Sequence, residues 1–370
     1  MSGGRPNRRA FLRASLLAAA GGLTPTLSWA DAGAPDYLAA AQTPSGAYAL
    51  FGLDAAGEIR FEVASPGRGH AAAAHPSEPL AVAFARRPGT FALVIDCAVG
   101  RPRARLTAPA GRHFYGHGAF DAEGARLYTC ENAYETGEGR IGVWDARDGF
   151  RRIGEFASGG VGPHELVFDA ARARLVVANG GVRTHPESGR AKLNLPMMRP
   201  NLAYIDPIEG AARRIVEPPE ALRFCSIRHL ALRADGLVAI AMQWQGALFD
   251  PAPLLALHRF GEEELRLLSA PAPQQLGMRG YGGSVAFSET GARVGLTSPR
   301  GGRLQIFDAA SGAFEAERLA PDICGLAGRG GGFLATDGGG GILTVEGKMI
   351  DRRFHRLSWD NHLISLRRTA

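Results

Sequence analysis

The sequence predicts an all-β chain, a seven-bladed β-propeller, and three observations predict it. A short apolar run recurs seven times, beginning just after Gly69-His70, Gly116-His117, Pro163-His164, Arg228-His229, Gly283-Ser284, Ile323-Cys324 and Asn361-His362. The starts lie 47, 47, 65, 55, 40 and 38 residues apart, a period that suits four-stranded blades burying their faces only against their neighbours. The 50 Gly and 23 Pro, with few long helical patterns, indicate many short strands joined by turns.

Each element of the phrase can be read from Gly116 to Phe156. His117 to Phe120 forms an inner strand, and Asp121 to Gly124 a turn with Gly where a positive φ is needed. Arg126 to Glu131 is a second strand, followed by a polar loop to Gly139. Arg140 to Asp145 is a third strand, Ala146 to Gly149 a turn, and Phe150 to Phe156 a fourth strand. The third strand ends in Asp again at Ala92–Asp96, Leu202–Asp206 and Leu304–Asp308, and the inner strand recurs at Glu165–Phe168, Leu230–Leu232 and Val285–Phe287. After His362 only one strand remains before the end, whereas Tyr37–Gln42, Tyr48–Leu53 and Ile59–Val63 supply three. One plus three completes the seventh blade and leaves no open sheet edge between the termini.

The front of the chain reads as an export signal rather than as fold. Asn7-Arg8-Arg9-Ala10-Phe11-Leu12-Arg13 has the twin-arginine pattern, an apolar stretch runs from Ala14 to Leu23, and Ser28-Trp29-Ala30 is a small-x-small cleavage site. The expectation is therefore a signal peptide over 1–30, one propeller domain over 31–370, passage through the twin-arginine (Tat) translocase and a periplasmic location. The apolar stretch is far shorter than the ~20 residues of a membrane span, and no other segment is long and apolar enough. The chain has 42 basic and 36 acidic residues, but the first thirty hold Arg5, Arg8, Arg9 and Arg13 and no acid. The remainder is near neutral, with nothing global to draw it to nucleic acid. Cys97, Cys130, Cys225 and Cys324 match no C-x-x-C or zinc spacing. An oxidising periplasm permits disulfides, although free buried thiols are the favoured reading.

Five of the seven recurring positions are His, one is Ser and one is Cys, and all should converge at one end of the channel. The loops between second and third strands belong to the same face. They hold Arg86 and Arg87, Glu131 and Asn132, the long Asn179–Pro200 segment with Arg183, His185 and Arg199, then Gln243 and Arg300. The opposite face has plain turns, so one face is expected to work. Neutral imidazoles are common ligands for iron, copper and zinc. Candidate ligands are His70, His117, His164, His229 and His362, with Cys324, Glu165 and Asp360 as further donors. Since opposite blades should stand too far apart, three or four ligands from adjacent blades, His362, His70, His117 and His164, are expected to share one ion. The loop arginines, with Arg228, could grip carboxylates or phosphates, and Glu131, Asn132, Asn179, Arg183, His185 and Gln243 complete the candidate ligand set. A structural reading of the histidines stays open, because a Gly-His recurs in WD repeats as a blade tie and Gly116-His117 with Trp144-Asp145 imitates it. No phosphate-binding glycine loop and no Gly-x-Ser-x-Gly nucleophile motif occurs.

Several longer phrases carry a resemblance. They are Ala83–Phe91, Gly162–Leu166, Ala178–Pro186, Ser226–Ala231, Thr297–Gly302 and Trp359–His362. Together they resemble a family of exported bacterial proteins of uncharacterised function, seven-bladed propellers of the YVTN/quinoprotein-amine-dehydrogenase type. Genes of that family sit beside imelysin-type periplasmic iron-uptake proteins and a di-haem oxidoreductase. The resemblance implies a role in periplasmic iron handling, with an Fe or Cu ion as the expected cofactor and imelysin-type proteins as expected partners. It carries over no catalytic residues. A metal-binding accessory is the first reading. A lactonase-like or redox enzyme on the same face, or a ligand-free docking scaffold, are the alternatives.

Overall fold

The computed structural model describes residues 27–366. Seven four-stranded antiparallel sheets form a ring. Numbered from the first hub histidine, and written from inner to outer strand, blade 1 is Gly69–Ala74, Leu80–Ala85, Phe91–Asp96 and Arg101–Thr107. Blade 2 is Arg112–Phe120, Arg126–Ala133, Glu138–Asp145 and Arg151–Ala157. Blade 3 is Pro163–Asp169, Arg174–Asn179, Asn201–Asp206 and Ala211–Val216. Blade 4 is Cys225–Leu232, Val238–Trp244, Leu255–His258 and Arg266–Leu268. Blade 5 is Val285–Phe287, Arg293–Ser298, Arg303–Asp308 and Phe314–Leu319. Blade 6 is Ile323–Arg329, Gly332–Asp337, Gly341–Glu346 and Met349–Phe354. Blade 7 pairs Ser358–Ser365 with Tyr37–Gln42, and the sheet continues through Tyr48–Leu53 and Ile59–Ser65, the closure expected from the sequence.

The core is divided as the repeat requires. Seven apolar clusters are present, each between two neighbouring blades. Between blades 1 and 2, Val82, Phe84 and Val94 meet Phe114, Leu127 and Trp144. Sheets buried on both faces read as near-continuous apolar runs, as in Leu80–Ala85, which is buried throughout. Among the described residues the only α-helix is Ala272–Gly277, and no helix is long and apolar enough to cross a membrane. All four cysteines are free and buried.

The twin-arginine motif and the apolar stretch lie outside the described residues. Ser28-Trp29-Ala30 lies within them. Trp29 donates its indole N–H to the His75 carbonyl at 3.0 Å and packs beside the apolar cluster between blades 7 and 1. The last residues of the expected signal therefore touch the propeller.

Candidate functional site

The hub is shaped by a backbone device that the sequence did not disclose. Six of the seven inner strands slip register against their partner at the recurring position. In blade 3 the extra residue is His164, between Pro163 and Glu165; in blade 4 it is Arg228, between Ile227 and His229. In blade 2, Tyr115, Gly116 and His117 stand opposite Cys130 alone. A β-bulge bends its strand and re-aims a side chain, and here it turns the hub residues into the channel. Gly116 has φ +101°, and a Cβ there would fall 2.4 Å from Cδ2 of His70. Glycine is thus required both by the backbone angle and by the ring that fills its space.

All five histidines meet. Their ring centroids stand 4.6–5.9 Å apart in eight pairs. Two groups have donor atoms within 4.8 Å of one another, His70/His117/His164 and His117/His229/His362. The second group corrects the expectation that only adjacent blades could share an ion. Blades 2, 4 and 7 are not neighbours, yet the channel is narrow enough at this level for their imidazoles to touch across it. The carboxylate expected to be a direct ligand acts differently. Glu165 accepts from Nδ1 of His229 at 2.9 Å and lies 3.5 Å from Nδ1 of His117. The backbone N–H of Leu230 also reaches it, at 3.1 Å. One carboxylate therefore engages two rings through Nδ1 and leaves Nε2 of His117 buried without a partner, which resembles the outer-shell pattern of metal-binding histidines. Ser284 Oγ stands 3.5 Å from Nδ1 of His362.

The free ring nitrogens are buried. Nε2 of His117 and His362, and Nδ1 of His70 and His164, have no hydrogen-bond partner. Buried polar atoms left unpaired are costly, and four of them share this one cluster. Burial, and then the neighbouring rings, push His362 and His70 well below the ordinary imidazole range. For His164 the causes are burial, His229 and Arg228. Burial also lowers His229, against the pull of Glu165. Burial would raise Glu165, but His117 and His229 outweigh it and hold the carboxyl well below its usual range. His70, His164, His229 and His362 are thus pushed toward neutral imidazole, beside one ionised carboxylate. Neutral imidazole is the form that coordinates metal. Metal–nitrogen bonds of about 2.1 Å put tetrahedral donors roughly 3.4 Å apart, so a spacing within 4.8 Å closes with small ring movements.

The plug of imidazoles separates two chambers. Above it is a bowl of about 560 Å³ floored by His70, His164 and His229 and lined by Arg86, Arg87, Arg228, Gln243 and Arg300. Below it is a chamber of about 460 Å³ with apolar walls such as Phe120, Phe168 and Phe287, reaching His229, Ser284 and His362. The other sequence candidates have structural partners. Asp360 is taken by Arg68 at 2.6 Å. Cys324 lies in neither histidine group, and burial pushes its thiol up to about 12. Glu131 is fully buried and paired with Arg152, at 2.6 and 3.0 Å. Asn132 donates to His113 and to the Thr184 carbonyl. Asn179 ties Ser158 to Asn201. Arg183 donates to the Glu135 carbonyl, and His185 accepts from the Glu187 N–H. Glu131, Asn132 and Asn179 are thus engaged by residues distant in sequence, whereas Arg183 keeps a buried Nε without a partner and His185 bonds within its own loop. Trp144 donates to the Thr129 hydroxyl, but that hydroxyl donates to Glu131 rather than to His117, so the WD-type tie does not reach His117. Sequence reasoning missed Arg190 and Lys192, which the long loop brings to the bowl, and the aromatic walls Tyr115, Trp244 and Tyr281. The cationic content of that loop was the available sign.

A ring of seven four-stranded blades, with imidazoles across the channel and a cationic bowl above, defines a seven-bladed β-propeller with a polar hub. The chain belongs to the family described as "Protein of unknown function (DUF1513)", whose model matches residues 63–366. No curated protein matches it in sequence. Among solved structures, a chain of hydrazine synthase from Kuenenia stuttgartiensis is similar at 12% identity, with a TM-score of 0.57, covering 79% of this chain and 86% of that one. At that identity the likeness is one of fold.

Proposed function

We propose that this propeller binds one transition-metal ion, iron or copper, at its hub through Nε2 of His117, His229 and His362. The observation that carries the reading is the buried, unpartnered Nε2 of His117 and of His362, within reach of His229, with Glu165 behind His117 and His229. Three imidazoles suit Fe, Cu or Zn. His117 has one nitrogen turned to Glu165, so its other nitrogen serves one ion, and the hub holds one ion rather than one for each histidine group. We further propose that the protein works after export, in the periplasm, as an accessory to iron uptake beside imelysin-type proteins. The family resemblance supports that part.

The test is to prepare the chain free of metal, load it separately with Fe(II) and Cu(II), and measure stoichiometry by elemental analysis. About one ion per chain is expected, and none in the His117→Ala/His362→Ala double variant. Unchanged stoichiometry in that variant overturns the site. Elemental analysis of protein taken from its native periplasm identifies the resident metal, and iron-free protein there would overturn the iron reading.

A further inference from the structure

Among the described residues, the bowl above the hub gathers cations with no acid in its lining. Its inner wall carries Arg86, Arg87 and Arg228, and its rim Arg190, Lys192 and Arg300; no acid lines it. Elsewhere arginine is routinely paired: Arg213 with Asp206 and Glu209, Arg233 and Arg259 with Asp235. Asp360, the acid whose charge bears on Arg86, is already held by Arg68. Blades 1, 4 and 5 and the long loop of blade 3 converge to make this arrangement. Gathering like charges without counter-charges is costly, and the cost is visible in the groups themselves. Burial lowers Arg87, and Arg190 adds to it. Burial and then Arg87 bring Arg228 down to about 10. Lys192 is lowered by burial, Arg228 and Arg300.

Three further observations point to a ligand. Nε of Arg228 is buried with no partner, and Nδ1 of His70 and of His164 are likewise unpaired at the floor. Arg300 is held over the Tyr281 ring, 4.4 Å from its centroid, so one rim guanidinium is fixed before anything binds. The volume, about 560 Å³, is that of a small-molecule site, for which roughly 300–1,000 Å³ is usual. Tyr115 and Trp244 supply flat apolar walls.

We propose that this bowl binds a small polyanion, a molecule carrying two or more carboxylate or phosphate groups, and seats it on the hub imidazoles. Planar guanidiniums grip either anion through two parallel N–H bonds. Three inner cations ask for two or three negative charges, more than a simple monocarboxylate brings. The concave shape excludes a nucleic acid or a folded acidic domain. The inference goes beyond the metal reading and does not depend on it, because the cations bind whether or not the imidazoles hold an ion.

Calorimetric titration of the metal-free chain with citrate, pyrophosphate and acetate tests it. One citrate or one pyrophosphate per chain is expected, with acetate at least about 100-fold weaker and affinity falling as salt rises. Citrate alone identifies the carboxylate class, pyrophosphate alone the phosphate class, and both outcomes support the site. Arg87→Met and Arg228→Met should each weaken binding by about tenfold or more, whereas Arg213→Met, on the outer surface, leaves it unchanged. Should Arg228→Met fold poorly, the exposed pair Lys192→Ala/Arg300→Ala should still weaken binding several-fold. The His117→Ala/His362→Ala variant should keep the polyanion after losing metal, which separates this site from the hub ion. Absence of citrate and pyrophosphate binding below about 1 mM overturns the proposal. Full binding by the Arg87 and rim-pair variants also overturns it.

Discussion

The ten histidines fall into two populations, one at the hub and one in the blades and loops, and the difference between them is the main lesson of this molecule. The outer rings are satisfied by the protein itself. His75 reaches the Gly124 carbonyl, His113 the Phe114 carbonyl, His258 the Glu262 carbonyl and His355 the Gly57 carbonyl, while His185 accepts from a backbone N–H. Among the described residues no hub ring bonds a main-chain carbonyl. Two hub rings share Glu165, and four keep a buried nitrogen without a partner. The same side chain thus stabilises the fold at the periphery and is held ready at the centre. What separates the two is neither residue type nor burial. It is whether folding completes the hydrogen bonding.

That contrast can be broken experimentally. The largest effect is expected from the His117→Ala/His362→Ala pair, which removes metal binding outright while outer variants such as His355→Ala leave it intact. Acidification of the metal-free protein comes next. His70, His164 and His362 sit well below the ordinary imidazole range when folded, so the unfolded chain takes up protons near pH 6.5 while the folded chain does not. Their contribution to stability is therefore full above pH 6.5 and is lost as pH falls through the folded values. Thermal unfolding of the metal-free chain should show a midpoint that declines from about pH 6.5 downward; a midpoint flat to pH 5 would contradict neutral buried rings.

Smaller effects sharpen the comparison. Glu165→Gln keeps the shape but loses the charge that orients His117 and His229. Metal affinity should drop about 10- to 100-fold, read by competition with a chelator. His258→Ala strips partners from the Tyr204 hydroxyl and the Glu262 carbonyl, and should cost about 1–3 kcal/mol in urea unfolding with metal binding unchanged. His362→Leu should do the reverse in the metal-free chain. Replacing an imperfectly bonded buried ring by an apolar one should be neutral or stabilising by about 1 kcal/mol. A loss of more than about 2 kcal/mol would place His362 with the outer, structural histidines.

Much of this was legible in the residues. The seven phrases located every inner strand, and the imbalance between the ends located the closing blade, because a period of alternating runs and turns is a local property. The recurrence of His at one register was legible for the same reason. The bulges were not, since a register slip depends on the partner strand; nor was the meeting of His117 with His229 and His362 across non-adjacent blades, which depends on the width of the channel. Glu165 looked like a ligand from its place beside His164, but it turns to His117 and His229 from the two flanking blades. Asn179 and Glu131 looked available because their partners, Asn201 and Arg152, lie some twenty residues further along.

By itself, then, the sequence determined the ring: hydrophobic period and turn chemistry act over a few residues and repeat seven times. Only the tertiary structure decided which polar groups remain unpaired, because that is set by neighbours brought together from distant blades. The unpaired groups, imidazole nitrogens at the hub and guanidiniums in the bowl above it, are where we place the chemistry proposed for this protein.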